Sequence, residues 1–163
     1  MIQKLIGTTT FIAISIILGG CTASLSTSNP ASVVASSSTA KVSQVKATGE
    51  PNDYTFAVTI ISPDTGCNRY ADWWEVITPD GELLYRRVLL HSHVDEQPFT
   101  RTGGIVNISA TQPVIVRVHM SDSGYSEIAQ QGSVRDGFTE VTLPTDLAPA
   151  LANQKPLPGN CAF

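Results

Sequence analysis

Two histidines separated by one residue are the clearest candidates for chemistry in this chain. In His91-Ser92-His93 both imidazoles point the same way if the segment is extended, because side chains on a strand alternate between its faces. Two such imidazoles could hold a copper or zinc ion, with either His119 from another strand or Glu96 just beyond the motif as a third ligand. The alternative is that these histidines are solvent-facing or hydrogen-bonded structural groups at the end of a strand. The sequence indicates no other cofactor.

A hairpin just before these histidines contains both tryptophans. The turn residues Pro79-Asp80-Gly81 separate two strand-like runs, residues 72–78 and residues 83–90. Proline presets the first turn dihedral and glycine accepts a left-handed one, so this tripeptide predicts a β-hairpin. We expect Thr78 to pair with Glu82 across the turn.

This predicted pairing gives the hairpin two different faces. One face is mostly apolar and is the predicted core face, with Asp72 and Arg86 as exceptions. The other face combines aromatic and charged side chains: Trp73, Glu75, Tyr85 and Arg87. Two interpretations fit that second face. Its members are cross-strand pairs that each contribute about 0.2–1 kcal/mol to the sheet, or they form an exposed surface that binds a protein or a glycan.

The sequence contains no convincing catalytic constellation. Ser92 lacks the glycine-flanked elbow of a serine hydrolase. Asp95 and Glu96 are adjacent, as acids on solvated loops commonly are, and nothing in the sequence places them across a cleft. We therefore predict a protein that is not an enzyme, and we assign no catalytic residue.

The N-terminus has the pattern of an export signal. Lys4 precedes an apolar run over residues 5–18, which is shorter than the roughly 20 residues needed to cross a bilayer as a helix. Residues 1–20 are thus predicted to be a signal peptide. The segment Leu18-Gly19-Gly20-Cys21 resembles the lipobox of bacterial lipoproteins. The alternative is an ordinary secretory signal followed by an unrelated cysteine.

The lipoprotein resemblance implies where the chain is located. It implies cleavage before Cys21 and attachment to the membrane through fatty acyl chains, such as palmitate, on that cysteine. Thr22 stands where an aspartate would signal retention in the inner membrane of enteric bacteria. We therefore expect a protein of the cell envelope, on the outer membrane, facing the periplasm or the cell surface, with an envelope protein or glycan as partner.

Residues 21–48 are predicted to be a flexible linker. Residues 22–40 consist mainly of Ser, Thr and Ala, and such a segment buries too little apolar area to offset the entropy of ordering it.

The chain carries 10 Lys and Arg against 14 Asp and Glu, without a basic run. Nucleic acid is therefore not an expected partner.

Residues 49–163 are predicted to form one all-β domain. Tyr54, Phe56, Val58 and Ile60 alternate with smaller residues, as expected of a half-buried strand. Alternating runs recur between turn residues, and no window shows sustained helical periodicity, which favours an antiparallel β-sandwich. Over residues 49–143 this architecture resembles immunoglobulin-like or fibronectin-like modules. The proline-rich tail from Pro144 onward is expected to dock on the sandwich.

Two cysteines remain once Cys21 is assigned to lipid. The exported compartment implied by the lipobox is oxidising, so we predict a disulfide between Cys67 and Cys161. Such a bond closes nearly the whole domain and is worth about 4–5 kcal/mol in the chain-entropy treatment. The alternatives are two free thiols or a metal-binding pair.

Overall fold

The structure is a computed structural model that describes residues 39–162. The predicted signal peptide, Cys21 and the first part of the predicted linker lie outside these residues. Within residues 39–162 the chain forms nine strands and one short 3-10 helix, Pro149–Asn153. The strands are β1 Lys41–Glu50, β2 Asp53–Ile61, β3 Ala71–Ile77, β4 Leu83–Val88, β5 Phe99–Val106, β6 Val114–Met120, β7 Gly124–Tyr125, β8 Ile128–Ser133 and β9 Gly137–Thr142.

The strands form two antiparallel sheets. The smaller sheet has the order β1-β2-β5, and the larger has the order β4-β3-β6-β8-β9, with β7 paired to β6. The two sheets pack face to face, which confirms the predicted all-β antiparallel sandwich. None of the helices within residues 39–162 has both the length and the apolar character needed to span a bilayer.

The main core lies between the sheets. The alternating residues of β2 point inward as predicted: Phe56, Val58 and Ile60 are fully buried. They form one cluster with Trp74 of β3 and with valines of β3 and β6. Full burial of each such side chain contributes about 1.5–3 kcal/mol to stability.

Strand β1 lies inside the segment predicted to be linker. It covers residues 41–50 and pairs with β2 along its length, from Lys41 opposite Ile61 to Glu50 opposite Asp53. Val42 is fully buried in the core. The folded domain therefore begins before the predicted boundary at residue 48, because pairing with a strongly apolar neighbour orders a strand that is itself mostly polar.

The β3–β4 hairpin forms around the predicted turn. The Thr78 N–H donates to the Glu82 carbonyl at 2.9 Å, and Gly81 has a φ of 87°, which only glycine adopts without strain. Beyond the turn, however, Leu84 is an extra residue: Ile77 pairs with Leu83, whereas Val76 pairs with Tyr85. This β-bulge moves every later residue of β4 to the face opposite the predicted one.

A second bulge occurs where β3 meets β6. Ala71 pairs with Met120 and Trp73 with His119, so Asp72 is the extra residue. The bulge lets both Asp72 and Trp73 reach His119. Asp72 and Arg86 were the two polar exceptions of the predicted core face. The two bulges bring Asp72 next to His119 and Arg86 next to Glu75.

The C-terminal segment, residues 144–162, covers the outer face of the larger sheet. Leu151 of the 3-10 helix packs on Ile77 and Ile115 in a second apolar cluster. Cys161 forms the predicted disulfide with Cys67, with the two Cα atoms 5.6 Å apart. The expected docked tail is therefore part of the domain.

Candidate functional site

The connection between β4 and β5, residues 89–98, is the most distinctive surface feature of the sandwich, and we call it the histidine loop. The Asp64 carboxylate holds it from below: its Oδ2 accepts the His93 backbone N–H at 2.8 Å, and its Oδ1 accepts the Ala71 N–H at 3.0 Å. Gln97 closes the loop, since its Oε1 accepts the Ser62 N–H at 2.9 Å and its Nε2 donates to the His93 carbonyl at 3.0 Å. The loop is therefore fixed by the buried contacts of Asp64 and the partly buried contacts of Gln97.

His93 is buried in this loop without hydrogen bonds to its ring. Its side chain is 1% exposed, and the ring stacks on Phe99 with 3.8 Å between centroids. Neither Nδ1 nor Nε2 has a hydrogen-bond partner, and the nearest carboxylate oxygen, Asp64 Oδ2, lies 3.8 Å from Nδ1. A buried polar group left in this state costs about 1–3 kcal/mol, so its presence needs an explanation.

The charge state of His93 follows from its surroundings. The pKa of the imidazole is lowered to about 4, mainly by burial and to a smaller extent by the nearby Arg101 and His91. The carboxylates of Asp64 and Glu96 act in the opposite direction and do not compensate. At neutral pH the ring is therefore uncharged, with one N–H donor and one acceptor nitrogen available.

Two cavities lie beside the His91–His93 segment. The larger cavity, of about 520 Å³, is lined by the consecutive residues 91–96 and by Ala162. The smaller cavity, of about 100 Å³, is lined by residues 87–91 together with His93 and Arg101. His91 and His93 border both cavities, and their rings lie 4.5 Å apart. Ser92 Oγ is a further buried polar atom without a partner.

The disulfide supports one wall of the larger cavity. Ala162 forms a parallel bridge with His91, and its N–H donates to the Leu90 carbonyl at 2.7 Å. The preceding residue, Cys161, is bonded to Cys67. The bond thus holds residues 161–162 against the histidine loop, a position that cysteine counting could not reveal.

The four residues of the predicted binding face do not form one surface. Trp73 is 3% exposed and Glu75 is fully buried, both on the outer face of the larger sheet, within the area that the C-terminal segment covers. Tyr85 instead contacts Trp74, and its hydroxyl oxygen accepts the Gly104 N–H at 2.6 Å. Arg87 is exposed and lines the smaller cavity. The bulge at Leu84 places Tyr85 and Arg87 on the face of the sheet opposite to Trp73 and Glu75.

The Glu75 carboxylate is paired with two arginines and stabilises the fold. It accepts hydrogen bonds from Arg86 Nε and Arg117 Nε, each at 2.8 Å. The same guanidinium groups donate to carbonyls of the C-terminal segment, Arg86 to Leu151 at 2.7 Å and Arg117 to Leu147 at 2.6 Å. These hydrogen bonds pair the buried carboxylate with the two buried guanidinium groups, and they attach the C-terminal segment to the larger sheet.

The three histidines predicted to share a metal do not converge. His91 and His93 are neighbours, but the His119 Nδ1 lies 2.7 Å from the Asp72 Oδ1, and its ring stacks on Trp73 at 3.6 Å. In residues 39–162 no group of three or more His, Cys, Asp or Glu side chains is placed to hold a metal ion. His119 is therefore bound to a carboxylate, a pairing that the bulge at Asp72 makes possible.

Sequence comparison finds that part of this chain is similar to a curated protein. A curated protein of Halomicrobium mukohataei with the name "Putative lipoprotein" is 42% identical over 84 residues. The match covers 52% of this chain and 41% of that protein, so the chain spans less than half the length of the relative. No family model and no solved structure matches the chain. The resemblance to immunoglobulin-like modules stays a prediction.

Proposed function

We propose that this chain is a lipid-anchored, non-enzymatic module of the cell envelope that binds a partner through its histidine loop. The lipobox at Cys21 supports the anchor, and so does the similarity to a protein named as a lipoprotein. The proposed anchor lies at Cys21, and the proposed binding site lies in the histidine loop of the sandwich. The two halves of the proposal are tested separately.

The observation that carries the binding role is the unpartnered imidazole of His93 between two cavities. A donor, an acceptor and the hydroxyl of Ser92 are left without hydrogen bonds at the edge of a surface cavity of about 520 Å³. A ligand that supplies the missing hydrogen bonds recovers the cost of burying these groups. Asp64 and Gln97 hold the loop in place around these groups.

The geometry at His93 favours binding over catalysis. A histidine that acts as a general base is oriented by a carboxylate that accepts a hydrogen bond from its other ring nitrogen. Here the nearest carboxylate oxygen lies 3.8 Å from Nδ1 and already accepts the His93 backbone N–H. Ser92 Oγ makes no hydrogen bond to the imidazole, as a hydroxyl activated by that base would. The imidazole is therefore suited to hydrogen bonding with a ligand.

The anchor is tested by replacing the lipidated cysteine. We expect the wild-type chain to sediment with membranes and to carry acyl chains on its N-terminal peptide by mass spectrometry. Cys21→Ala should release the chain into the soluble fraction, whereas the control Thr22→Ala should stay with the membrane. Density-gradient separation of the two membranes tests the expected outer-membrane location. A Cys21→Ala variant that remains membrane-bound would contradict the anchor.

The binding role is tested by capturing the natural partner. The full-length chain in detergent is incubated with an envelope extract, and His93→Phe serves as the comparison. We expect wild-type to retain a protein or glycan that His93→Phe loses, at unchanged secondary structure by circular dichroism. Equal retention by both proteins would show that the histidine loop is not the site.

A further inference from the structure

The smaller cavity differs from the larger one in its charge. Its polar lining consists of Arg87, His91, His93 and Arg101, and its lining residues include no carboxylate. Asp95 and Glu96 line the larger cavity instead. The chain as a whole carries a net charge of −4, so a cation-lined cavity stands out from the rest of the molecule.

Arg87 brings an uncompensated positive charge to the smaller cavity. Its side chain is exposed, and within residues 39–162 it makes no hydrogen bond and no ion pair. The guanidinium group is a planar donor that matches carboxylate and phosphate oxygens. An arginine held on a strand at the mouth of a cavity, and free of protein partners, is well placed for such an anion.

Arg101 is held in place by protein contacts and keeps donors free. Its Nη2 donates to Glu96 Oε2 at 2.7 Å, and its Nη1 donates to Glu96 Oε1 and to the Thr100 carbonyl. The guanidinium also lies over the Phe99 ring, 5.4 Å from the centroid. These contacts use three of its five N–H donors and fix its orientation.

His93 supplies the buried hydrogen-bonding group of the same site. Its side chain is 1% exposed, its ring nitrogens have no partner, and it borders the cavity that Arg87 and Arg101 line. A neutral imidazole has one N–H that can donate a hydrogen bond to an oxyanion. The volume of about 100 Å³ leaves room for a group of only a few heavy atoms.

We propose that the smaller cavity binds the oxyanion group of an acidic sugar, with Arg87 and Arg101 as its charged contacts and His93 as its buried donor. The inference rests on the proposed binding function and names its ligand class. The sugar ring lies in the adjoining larger cavity, where Ser92 Oγ and the Asp95 and Glu96 carboxylates are acceptors for hydroxyl groups and Val94 is 45% exposed as an apolar contact. A free inorganic anion shares the same oxyanion chemistry.

The test uses nuclear magnetic resonance on the full-length chain in detergent micelles. D-glucuronate, neutral D-glucose and inorganic phosphate are titrated in turn, and the side-chain signals of Arg87 and Arg101, which line only the smaller of the two cavities, report on that cavity. Backbone signals of Ser92 and Val94 report on the larger one. We expect saturable shifts at both cavities with glucuronate, and weaker binding of glucose.

Arg87→Gln is the decisive variant, because the Arg87 side chain makes no hydrogen bond and no ion pair within residues 39–162. It should weaken glucuronate binding about tenfold or more, the effect of losing one charge-assisted hydrogen bond. Arg135→Gln removes one exposed arginine elsewhere, at the β8–β9 turn, and should leave binding unchanged.

The outcomes separate this inference from the function it rests on. Phosphate that binds as tightly as glucuronate would support the oxyanion site and assign it to a free anion. Glucose and glucuronate that shift only the Ser92 and Val94 signals, equally in wild-type and Arg87→Gln, would overturn the oxyanion site and keep a sugar site in the larger cavity. Shifts at neither cavity would overturn this inference, while the partner capture described above would still decide the proposed function.

Discussion

His93 is expected to make the stability of the sandwich depend on pH in a narrow range. The folded protein holds its imidazole with a pKa of about 4, against 6.5 in the unfolded chain, mainly because burial disfavours the charged ring. The unfolded state therefore binds the proton at a higher pH than the folded state does. The contribution of His93 to stability is complete above pH 6.5, falls as the pH drops towards 4, and changes no further below that value.

The size of the effect follows from the two pKa values. Each pKa unit corresponds to 1.36 kcal/mol, so the difference between 6.5 and about 4 is worth about 3 kcal/mol. The charged groups that face the ring are Asp64, Glu96, Arg101 and His91. Asp64 and Glu96 favour the protonated ring, so their own protonation at low pH only lowers the His93 pKa further. A loss of this size is a large share of the stability of a single domain.

The assay compares wild-type with His93→Phe, which keeps a ring stacked on Phe99 and removes the titrating group. Urea unfolding is measured for both proteins at several pH values between 7.5 and 4. Carboxylates common to both proteins cancel in the difference between their free energies of unfolding. We expect that difference to shift by about 3 kcal/mol in favour of the variant as the pH falls. A difference that stays constant to within about 0.5 kcal/mol, or an imidazole that titrates near 6.5 by nuclear magnetic resonance, would refute the reasoning.

Three further changes test the packing around the site. Glu75→Ala leaves two buried guanidinium groups unpaired and should lower the free energy of unfolding by about 3–5 kcal/mol in urea titrations, while the exposed Glu50→Ala should have little effect. Gly103→Ala places a methyl group 2.7 Å from two aromatic rings and should cost about 1–3 kcal/mol, whereas Gly104→Ala meets its nearest atom at 3.5 Å and should be tolerated. Cys161→Ser should lower stability by about 2–5 kcal/mol and expose the C-terminal segment to proteolysis; wild-type protein that is alkylated at both cysteines without reductant would contradict the disulfide.

The docked C-terminal segment explains why Trp73 and Glu75 of the predicted binding face are buried. Sequence patterns along β3 and β4 cannot show that a distant segment returns to cover them. The carbonyls of Leu147 and Leu151 accept hydrogen bonds from the two arginines that pair with Glu75. These arginines therefore have protein partners on both sides, and the aromatic and charged residues around them stabilise the fold.

Short-range patterns predicted much of the sandwich. The alternation in β2 gave its inward face, and the Pro79-Asp80-Gly81 turn gave the β3–β4 hairpin. Strands β1 and β8 were not predicted, because both are largely polar. Strand β8 contains Gln130, whose side chain is buried and donates to the Val42 carbonyl at 3.2 Å. Such a strand is stabilised by neighbours that only the folded chain supplies.

What the sequence determined by itself is local: the export pattern at Cys21, the all-β character, the turn between β3 and β4, and the two cysteines left to pair. What the tertiary structure decided is which residues meet. Single extra residues at Asp72 and Leu84 leave no mark on an alternating pattern, yet each reverses the faces of the strand that follows. The His91-Ser92-His93 motif likewise was visible in the sequence, but the burial and the contacts of its histidines were not. Burial beside Asp64 and between two cavities, a property of contacts between distant segments, made His93 an unpartnered hydrogen-bonding group and separated it from His119.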